Sequence, residues 1–260
     1  MGRLEIAGVS RIFRGRDGTV EALRPVDLTV GEGEFVALLG PSGCGKSTLL
    51  RMAAGLDHPD GGAILLDGQP VEKPGPERGM VFQQPALYPW LTVRDNVAFG
   101  LIEQGISRND ARRRADELLA QIGLENFAGH YPKALSGGMQ QRVALARALA
   151  PDPSVMLLDE PFGALDTQTR SLMQELLLAV WERNRKTVLF VTHDIEEAIF
   201  LAGRVVVLTA RPGTIKAEIP IDLPRPRDYH IRTTPEFSAL KARLTDLVRD
   251  ESLRAAELAV

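Results

Sequence analysis

A glycine-rich segment that ends in a lysine and two hydroxyl residues is the strongest candidate for chemistry in this chain. It fits the pattern G-x-x-x-x-G-K-[ST] at every position, and its residues are Gly40, Pro41, Ser42, Gly43, Cys44, Gly45, Lys46 and Ser47, followed by Thr48. Glycines let backbone N–H groups converge on a phosphate without side-chain clashes, and a helix that begins there adds positive potential. The segment therefore predicts a nucleoside triphosphate site. Lys46 would reach the β- and γ-phosphates, Ser47 would bind Mg²⁺, and Thr48 would lie near the α- and β-phosphates.

Polar residues that follow three other apolar runs are the candidates for catalysis. Asp159 and Glu160 end one run, and paired carboxylates at such a place are costly unless a metal or a substrate uses them. Asp159 is predicted to hold Mg²⁺ through water, and Glu160 is predicted to orient and polarise the attacking water. Gln83 follows another run and is predicted to touch Mg²⁺ or that water. His193 follows a third run and is predicted to contact the γ-phosphate, although a lone histidine is more often a satisfied structural residue.

A second glycine pair precedes a helical pattern but carries no lysine. Ser136 stands before Gly137 and Gly138, and apolar residues at helical spacing follow them. Free N–H groups at a helix N-terminus attract an anion here as they do at the first glycine segment. The segment is interpreted either as a second anion site, which would serve the nucleotide of another subunit, or as a plain capped helix start.

The order of apolar runs and helical patterns predicts the elements that position these residues. Alternation of buried strands with helices predicts an α/β fold with a mainly parallel sheet, in which the polar strand ends meet at one edge. The opening segment, with Leu4, Ile6 and Val9, predicts a small antiparallel sheet beside the nucleotide. Phe13 in this segment is either a core aromatic or a ring that stacks on the base.

The chain is predicted to form one nucleotide-binding domain over residues 1–220 and a short tail over residues 221–260. Residues 87 to about 150 predict a mostly helical insert, and the arginines at positions 112–114 are interpreted as the solvated face of one of its helices. The tail predicts one amphipathic helix, because its apolar residues recur at helical spacing: Phe237, Leu240, Leu244 and Leu247.

Large apolar side chains fill a proline-interrupted loop at the start of the helical insert. They are Leu87, Tyr88, Pro89, Trp90 and Leu91. The loop is interpreted either as a local mini-core or as a docking surface for a partner protein.

Composition restricts the classes of partner. The 260 residues include 25% charged and 44% hydrophobic residues, with a net charge of −3, so there is no electrostatic case for nucleic acid. Cys44 is the one cysteine, which excludes a disulfide within the chain and suits a reducing compartment. We expect neither a signal peptide nor a spanning helix, since the first residues read as a strand and no apolar run reaches about 18 residues. Any membrane role would then depend on a partner.

Together these motifs resemble the ATP-binding subunit of an ABC transporter. In that resemblance residues 40–48 match the Walker A loop, Gln83 the Q-loop, residues 155–159 with Glu160 the Walker B motif, and His193 the switch histidine. The LSGGQ-type signature is matched by Leu135, Ser136, Gly137, Gly138, Met139 and Gln140, with Met139 ahead of the first glutamine. Asp166 matches the D-loop, and Phe13 lies where the family places its adenine-stacking aromatic.

The resemblance implies a P-loop NTPase fold of ABC type and a head-to-tail homodimer. Each of two ATP molecules, with Mg²⁺, would lie between the Walker A loop of one subunit and the signature of the other. Closing on ATP and reopening after hydrolysis would move transmembrane partners through the loop at residues 83–90 and the helical insert.

Finer features resemble the nitrate, sulfonate and taurine import ATPases. These features are residues 209–213 followed by residues 223–227, whereas residues 82–93 with Asn96 and Val97 resemble bacterial importers in general. The resemblance implies two transmembrane permease subunits, an extracytoplasmic solute-binding protein acting indirectly, and a place on the cytoplasmic face of the bacterial inner membrane. Selection of the solute would belong to those other chains.

The sequence disfavours three other functions. A soluble ABC ATPase acting on nucleic acid or ribosomes is disfavoured by the single cassette, the near-neutral charge and the short separation of Lys46 from Asp159. An exporter ATPase is disfavoured by the tail motifs, and a non-hydrolysing ATP binder is disfavoured by the intact Glu160 and His193.

Overall fold

Two β-sheets form the framework of the protein. The computed structural model describes residues 2–15 and 18–257. The strands are β1 Leu4–Gly15, β2 Gly18–Val30, β3 Phe35–Leu39, β4 Gly61–Leu66, β5 Gln69–Pro70, β6 Arg78–Val81, β7 Val155–Asp159, β8 Thr187–Thr192, β9 Arg204–Leu208 and β10 Ile215–Pro220.

Seven α-helices connect and cover the strands in the described part of the chain. They are α1 Lys46–Ala53, α2 Val93–Glu103, α3 Arg108–Gln121, α4 Gly137–Leu149, α5 Thr167–Asn184, α6 Ile195–Leu201 and α7 Pro235–Glu257. Among these helices none combines the length and the apolar character that crossing a membrane requires.

The larger sheet has six strands in the order β10-β9-β3-β8-β7-β6. All its pairs are parallel except β10 with β9 at one edge, which confirms the predicted α/β fold with a mainly parallel sheet. Side chains alternate between its two faces, so Phe35 and Ala37 of β3 enter one core while Val36 and Leu38 enter the other. Because parallel strands share their carboxyl edge, the segments after β3, β6, β7 and β8 open on the same side.

The smaller sheet is antiparallel, as predicted, with the order β2-β1-β4-β5. Its apolar side chains, including Leu4 and Val9, pack with α1 and with one face of the larger sheet. The packing fixes the smaller sheet beside the segment between β3 and α1.

The helices α2, α3 and α4 share a separate core, which agrees with the predicted helical insert. Thr92 caps α2 and Ser107 caps α3, each accepting a hydrogen bond from a backbone N–H in the first turn. Arg113 and Arg114 are exposed, as predicted, and the Arg112 side chain is 38% exposed while its guanidinium donates to both carboxylate oxygens of Asp95 at 2.8 and 2.9 Å. That pair ties α3 to α2, and the hydrogen bond from Arg112 lowers the pKa of Asp95.

The C-terminal segment packs on the core of the larger sheet. Phe237 and Leu244 of α7 are buried there, together with Ile221 and Leu223 of the preceding loop. Arg227 is buried as well and donates to the carbonyls of five residues, Ile199, Phe200, Ala202, Ile221 and Leu223. The amphipathic helix is confirmed, whereas the domain boundary at residue 220 stays a prediction.

Candidate nucleotide-binding site

The phosphate loop, residues 40–47, connects β3 to α1. Gly43 and Gly45 take positive φ angles of 77° and 99°, which a residue with a Cβ adopts at a cost. A Cβ on Gly45 would also lie 2.6 Å from Cδ2 of Leu23. The loop is therefore built for glycine at this position, and it directs its backbone toward the start of α1 as the sequence predicted.

Lys46 lies inside the phosphate loop, with 5% of its surface exposed. Its ammonium donates to the carbonyls of Gly40 and Pro41, both at 2.8 Å, and lies 3.7 Å from Sγ of Cys44. Burial raises the pKa of the Cys44 thiol, and the charge of Lys46 opposes that shift. The loop thus keeps a cation in its centre, and of its three N–H donors two bind carbonyls while the third has only the weak acceptor Sγ of Cys44.

Ser47 and Asp159 meet across the carboxyl edge of the sheet. The Ser47 hydroxyl donates to Oδ1 of Asp159 at 2.8 Å. Burial raises the pKa of Asp159, the hydrogen bond from Ser47 opposes the shift, and the charge of Glu160 adds to it. A hydroxyl and a carboxylate in contact, with a second carboxylate beside them, form an oxygen donor set that suits Mg²⁺.

Glu160 and His193 form a second pair at this edge. Nδ1 of His193 lies 3.0 Å from Oε2 of Glu160. Glu160 has a φ of 42°, an unfavourable angle for a residue with a long side chain, and its N–H donates to the carbonyl of Val191 at 2.9 Å. Strained backbone of this kind clusters at functional sites, and here it carries the carboxylate that contacts His193.

Gln83 follows β6 and comes near the same carboxylate. A Cβ placed on Gly163 would lie 3.7 Å from Nε2 of Gln83 and 3.9 Å from Oε2 of Glu160. The side chains of Gln83 and Glu160 therefore flank Gly163 from neighbouring strands. The structure brings Ser47, Asp159, Glu160, His193 and Gln83 to one edge, as the parallel topology requires.

A pocket of about 290 Å³ lies over the phosphate loop. Its described lining consists of Phe13, Val20, Ala22, Ser42, Gly43, Gly45, Lys46, Ser47, Thr48, Glu160 and Arg211. We call it the nucleotide pocket. Phe13 is 42% exposed, and the guanidinium of Arg11 lies 4.9 Å from the centre of its ring. Phe13 is thus a surface ring of the pocket and does not enter a buried core.

Three residues of the pocket lining were not identified from the sequence. Val20 pairs with Phe13 in the hairpin of β1 and β2, so a correct strand register would have revealed it. Ala22 follows on the same strand, and Arg211 comes from the loop after β9. The sequence carries no local signal for Arg211, because its place depends on how that loop packs.

The signature segment, residues 135–140, is absent from the described lining of the nucleotide pocket. Ser136 caps α4 by accepting from the N–H of Met139 at 3.3 Å. A Cβ on Gly138 would lie 2.4 Å from Cγ2 of Thr169, so this glycine lets α4 approach α5. Gln140 donates to the carbonyls of Pro132 and Leu135 and so braces the approach to the helix.

Asp166 caps α5, which begins at Thr167. Its carboxylate accepts from the N–H groups of Gln168 and Thr169 at 3.1 and 3.0 Å. The hydrogen bond from the N–H of Thr169 is the main cause that lowers the pKa of Asp166. The D-loop role of Asp166 stays a prediction.

The predicted docking loop, residues 87–91, is bound by a buried side chain and exposes one large ring. Trp90 is 71% exposed, whereas Tyr88 packs against Trp90 and Phe99, with ring centres 5.6 and 4.8 Å apart. The buried side chain of Asn96 binds the N–H and the carbonyl of Tyr88, and it donates to the carbonyls of Leu91 and Thr92 as well. The sequence did not identify Asn96 as the anchor, since its role depends on the fold of the loop.

This chain is similar in sequence to known ATP-binding proteins of ABC transporters. A family profile described as ABC transporter matches residues 23–163. The nitrate import ATP-binding protein NrtD of Synechocystis is 49% identical over 98% of both chains. The taurine import ATP-binding protein TauB of Rhizobium johnstonii is 46% identical, over 97% of this chain and 99% of its own. The aliphatic sulfonates import ATP-binding protein SsuB of Bacillus thuringiensis is 45% identical, over 93% of this chain and 94% of its own.

Solved structures agree on the architecture. A dimeric bacterial ABC transporter cassette superposes with a TM-score of 0.76 at 38% identity, over 85% of this chain and 99% of its own. A dimeric ATP-binding cassette in a post-hydrolysis state, bound to ADP and Pi, gives a TM-score of 0.75 at 37% identity, over the same shares.

Proposed function

This chain belongs to the ABC transporter family of ATPases, and from that premise we propose that it powers a bacterial importer of a small solute. One observation carries the proposal. Three polar groups for phosphate and metal chemistry, from Ser47, Asp159 and Glu160, meet beside a pocket that also contains Lys46. The segments that bring them together are far apart in sequence, so the arrangement is a product of the whole fold.

In the proposed mechanism the nucleotide pocket holds ATP by both its adenine and its phosphates. Phe13 stacks on the adenine, while the N–H groups of the phosphate loop and Lys46 bind the phosphates. Ser47 and Gln83 would hold Mg²⁺ directly and Asp159 through water. When bound, Mg²⁺ supplies positive charge that neutralises the phosphate oxygens.

Glu160 and His193 would carry out the hydrolytic step. Glu160 orients and polarises a water that attacks the γ-phosphorus, and the bond from that phosphorus to the bridging oxygen of ADP breaks. His193, 3.0 Å from Glu160, keeps the carboxylate aimed and lies beside the γ-phosphate. Positioning of this kind suits phosphoryl transfer, in which the protein does little covalent chemistry.

The proposed working unit is a head-to-tail homodimer. The signature segment of one copy would contact the ATP held by the phosphate loop of the other. Two observations support this: the similar solved cassettes are described as dimeric, and Ser136 is exposed at the N-terminus of α4.

The docking loop would join the ATPase dimer to two transmembrane permease subunits. Trp90 presents a large apolar surface on a loop that Asn96 holds in one conformation, which suits a partner interface. Since several relatives are named import proteins for nitrate, sulfonates and taurine, we propose a solute of that type. An extracytoplasmic binding protein would deliver it, and this chain would lie on the cytoplasmic face of the cell membrane.

Affinity capture from native membranes tests the importer. The tagged chain should retain a permease and, through it, a solute-binding protein, both identified by mass spectrometry. Trp90→Ala should lose them, while Tyr229→Ala, which removes an aromatic ring that is 55% exposed, should keep them. Recovery of ribosomal or nucleic-acid proteins, or equal capture by both variants, would contradict the proposed partner and surface.

A further inference from the structure

Arg211 brings a second positive side chain to the nucleotide pocket. It lines the pocket together with Lys46 and Ser47. Its guanidinium makes no hydrogen bond or ion pair with another residue in the described ranges, and its side chain is exposed. An exposed arginine is usually just solvated, so its location alone does not assign it a role.

The Arg211 loop, residues 209–214, is fixed against the phosphate loop. The N–H of Gly213 donates to the carbonyl of Ala22 at 2.9 Å, and the N–H of Arg24 donates to that of Gly213 at 3.0 Å. A Cβ on Gly213 would lie 2.0 Å from the carbonyl oxygen of Cys44, so the two loops touch through their backbones. Arg211 is therefore carried by a segment with a set place beside the phosphates.

The tail helix holds the same loop from its other side. Glu251 of α7 is 1% exposed and accepts a hydrogen bond from the N–H of Ala210 at 2.8 Å. It also pairs with Lys216 at 2.9 Å and with Arg254 at 3.2 Å. Burial alone would raise the pKa of Glu251, but the hydrogen bonds from Lys216 and Ala210 outweigh it and the pKa is lowered. Glu251 is thus a buried carboxylate attached directly to the residue before Arg211.

We propose that Arg211 binds a phosphate of the nucleotide and that Glu251 is a positioning residue that holds the Arg211 loop for this contact. The inference rests on the proposed placement of ATP in the nucleotide pocket. A guanidinium matches phosphate geometry with two parallel N–H groups, and its charge complements the nucleotide. The C-terminal helix then becomes part of the machinery that sets nucleotide affinity, although it lies outside the pocket lining.

Calorimetric titration of the full chain with ADP and Mg²⁺ tests this assignment. Arg211→Gln should raise Kd at least about tenfold, the usual worth of a charged hydrogen bond, and Arg211→Lys should recover part of the loss. The effect should shrink at high salt, because charge carries part of the contact. Arg243→Gln, which removes an exposed arginine of α7, is the matched control and should leave Kd unchanged.

The role of Glu251 requires coupling between two substitutions. Glu251→Gln should raise Kd by a smaller factor, about threefold, and should add nothing when Arg211 is already Gln. Glu236→Gln, on the exposed first turn of α7, is its control. If Glu251→Gln unfolds the chain, Lys216→Gln weakens the same attachment more mildly and takes its place.

The outcomes separate this inference from the proposed function. If the wild-type chain and Lys46→Ala both fail to bind ADP, the placement of the nucleotide is wrong. If the wild type binds, Lys46→Ala does not, and Arg211→Gln binds as Arg243→Gln does, the Arg211 contact alone is overturned. Additive losses in the double variant would overturn the role of Glu251.

Discussion

Nδ1 of His193 lies 3.0 Å from Oε2 of Glu160, across the carboxyl ends of β8 and β7. The two side chains come from motifs 33 positions apart, and the sequence predicts a separate role for each. Their contact joins those roles: the histidine fixes the direction of the carboxylate that is proposed to orient water. The left-handed backbone conformation of Glu160 restricts the direction of the same carboxylate from the main-chain side.

Replacement of His193 should therefore lower the rate of ATP turnover without lowering the affinity for ATP. His193→Ala is expected to reduce kcat about 100-fold, the usual scale for a misplaced proton-transfer group, and to leave the Kd for ATP nearly unchanged. His130→Ala, at an exposed position outside the described pocket lining, is the control and should keep full turnover. Loss of ATP affinity in His193→Ala, with normal kcat, would contradict the positioning role.

The nucleotide-free chain with Asp159 should be less stable than the Asp159→Asn variant, whose side chain is neutral. Burial raises the pKa of this carboxyl above its ordinary value of 3.8, so the folded state binds its proton more tightly than the unfolded state. Stability then falls as pH rises from the ordinary pKa through the raised one, and the cost is complete at neutral pH. Asp159→Asn should remove the cost, raise Tm by roughly 2–4 °C at neutral pH and flatten this pH dependence.

Thermal unfolding from acid to neutral pH checks the Asp159 prediction. Asp222→Asn makes the same charge change at an exposed position and should leave the curve as in the wild type. An Asp159→Asn chain less stable than the wild type at neutral pH would refute the destabilising effect of the buried charge.

A bulky charge at the signature segment should block the dimer while leaving the pocket intact. Ser136→Arg, placed in the Glu160→Gln background to prevent turnover, should reduce the ATP-dependent dimer at least about tenfold in sedimentation. ATP binding by the monomer should stay within about twofold. Ser107→Arg removes the corresponding cap of α3 and should dimerise normally, so equal behaviour of the two variants would remove the signature from the interface.

Arg227 should be essential to the fold of the C-terminal segment. Burial lowers the pKa of its guanidinium to about 10, so it stays charged at neutral pH while it binds five carbonyls. Arg227→Ala leaves those carbonyls unpaired and should cost about 3 kcal/mol or more in the free energy of unfolding by urea. Arg243→Ala, at an exposed position of α7, should cost less than about 0.5 kcal/mol.

The sequence predicts well those strands of the fold that stand out as short apolar runs. The runs at Thr187–Thr192 and Val155–Asp159 have apolar residues throughout their middle, and both are buried strands of the larger sheet. Once those strands are parallel, their polar ends meet at one edge, and this is why the site cluster follows from the sequence.

Residues whose roles depend on packing carry no such pattern. Arg211 reaches the pocket because its loop rests on Cys44, and Asn96 binds the backbone of Tyr88, eight residues earlier. Glu251 and Arg227 carry charged side chains, which the sequence alone would place on the surface. Both are buried in the fold, where several hydrogen-bond and ion-pair partners stabilise them. These positions depend on contacts between distant segments, which periodicity does not reveal.

Steady-state ATP hydrolysis by Glu160→Gln is the most direct test of the proposed active site, in which Glu160 orients and polarises the attacking water. The substitution keeps the shape of the side chain and one acceptor oxygen, but it replaces the other oxygen by an NH2 donor and removes the charge that polarises water. We expect normal ATP binding, a turnover about 10³-fold lower than that of the wild type, and accumulation of an ATP-bound dimer. Turnover equal to that of the wild type would contradict the assignment of Glu160 and, with it, the proposed active site.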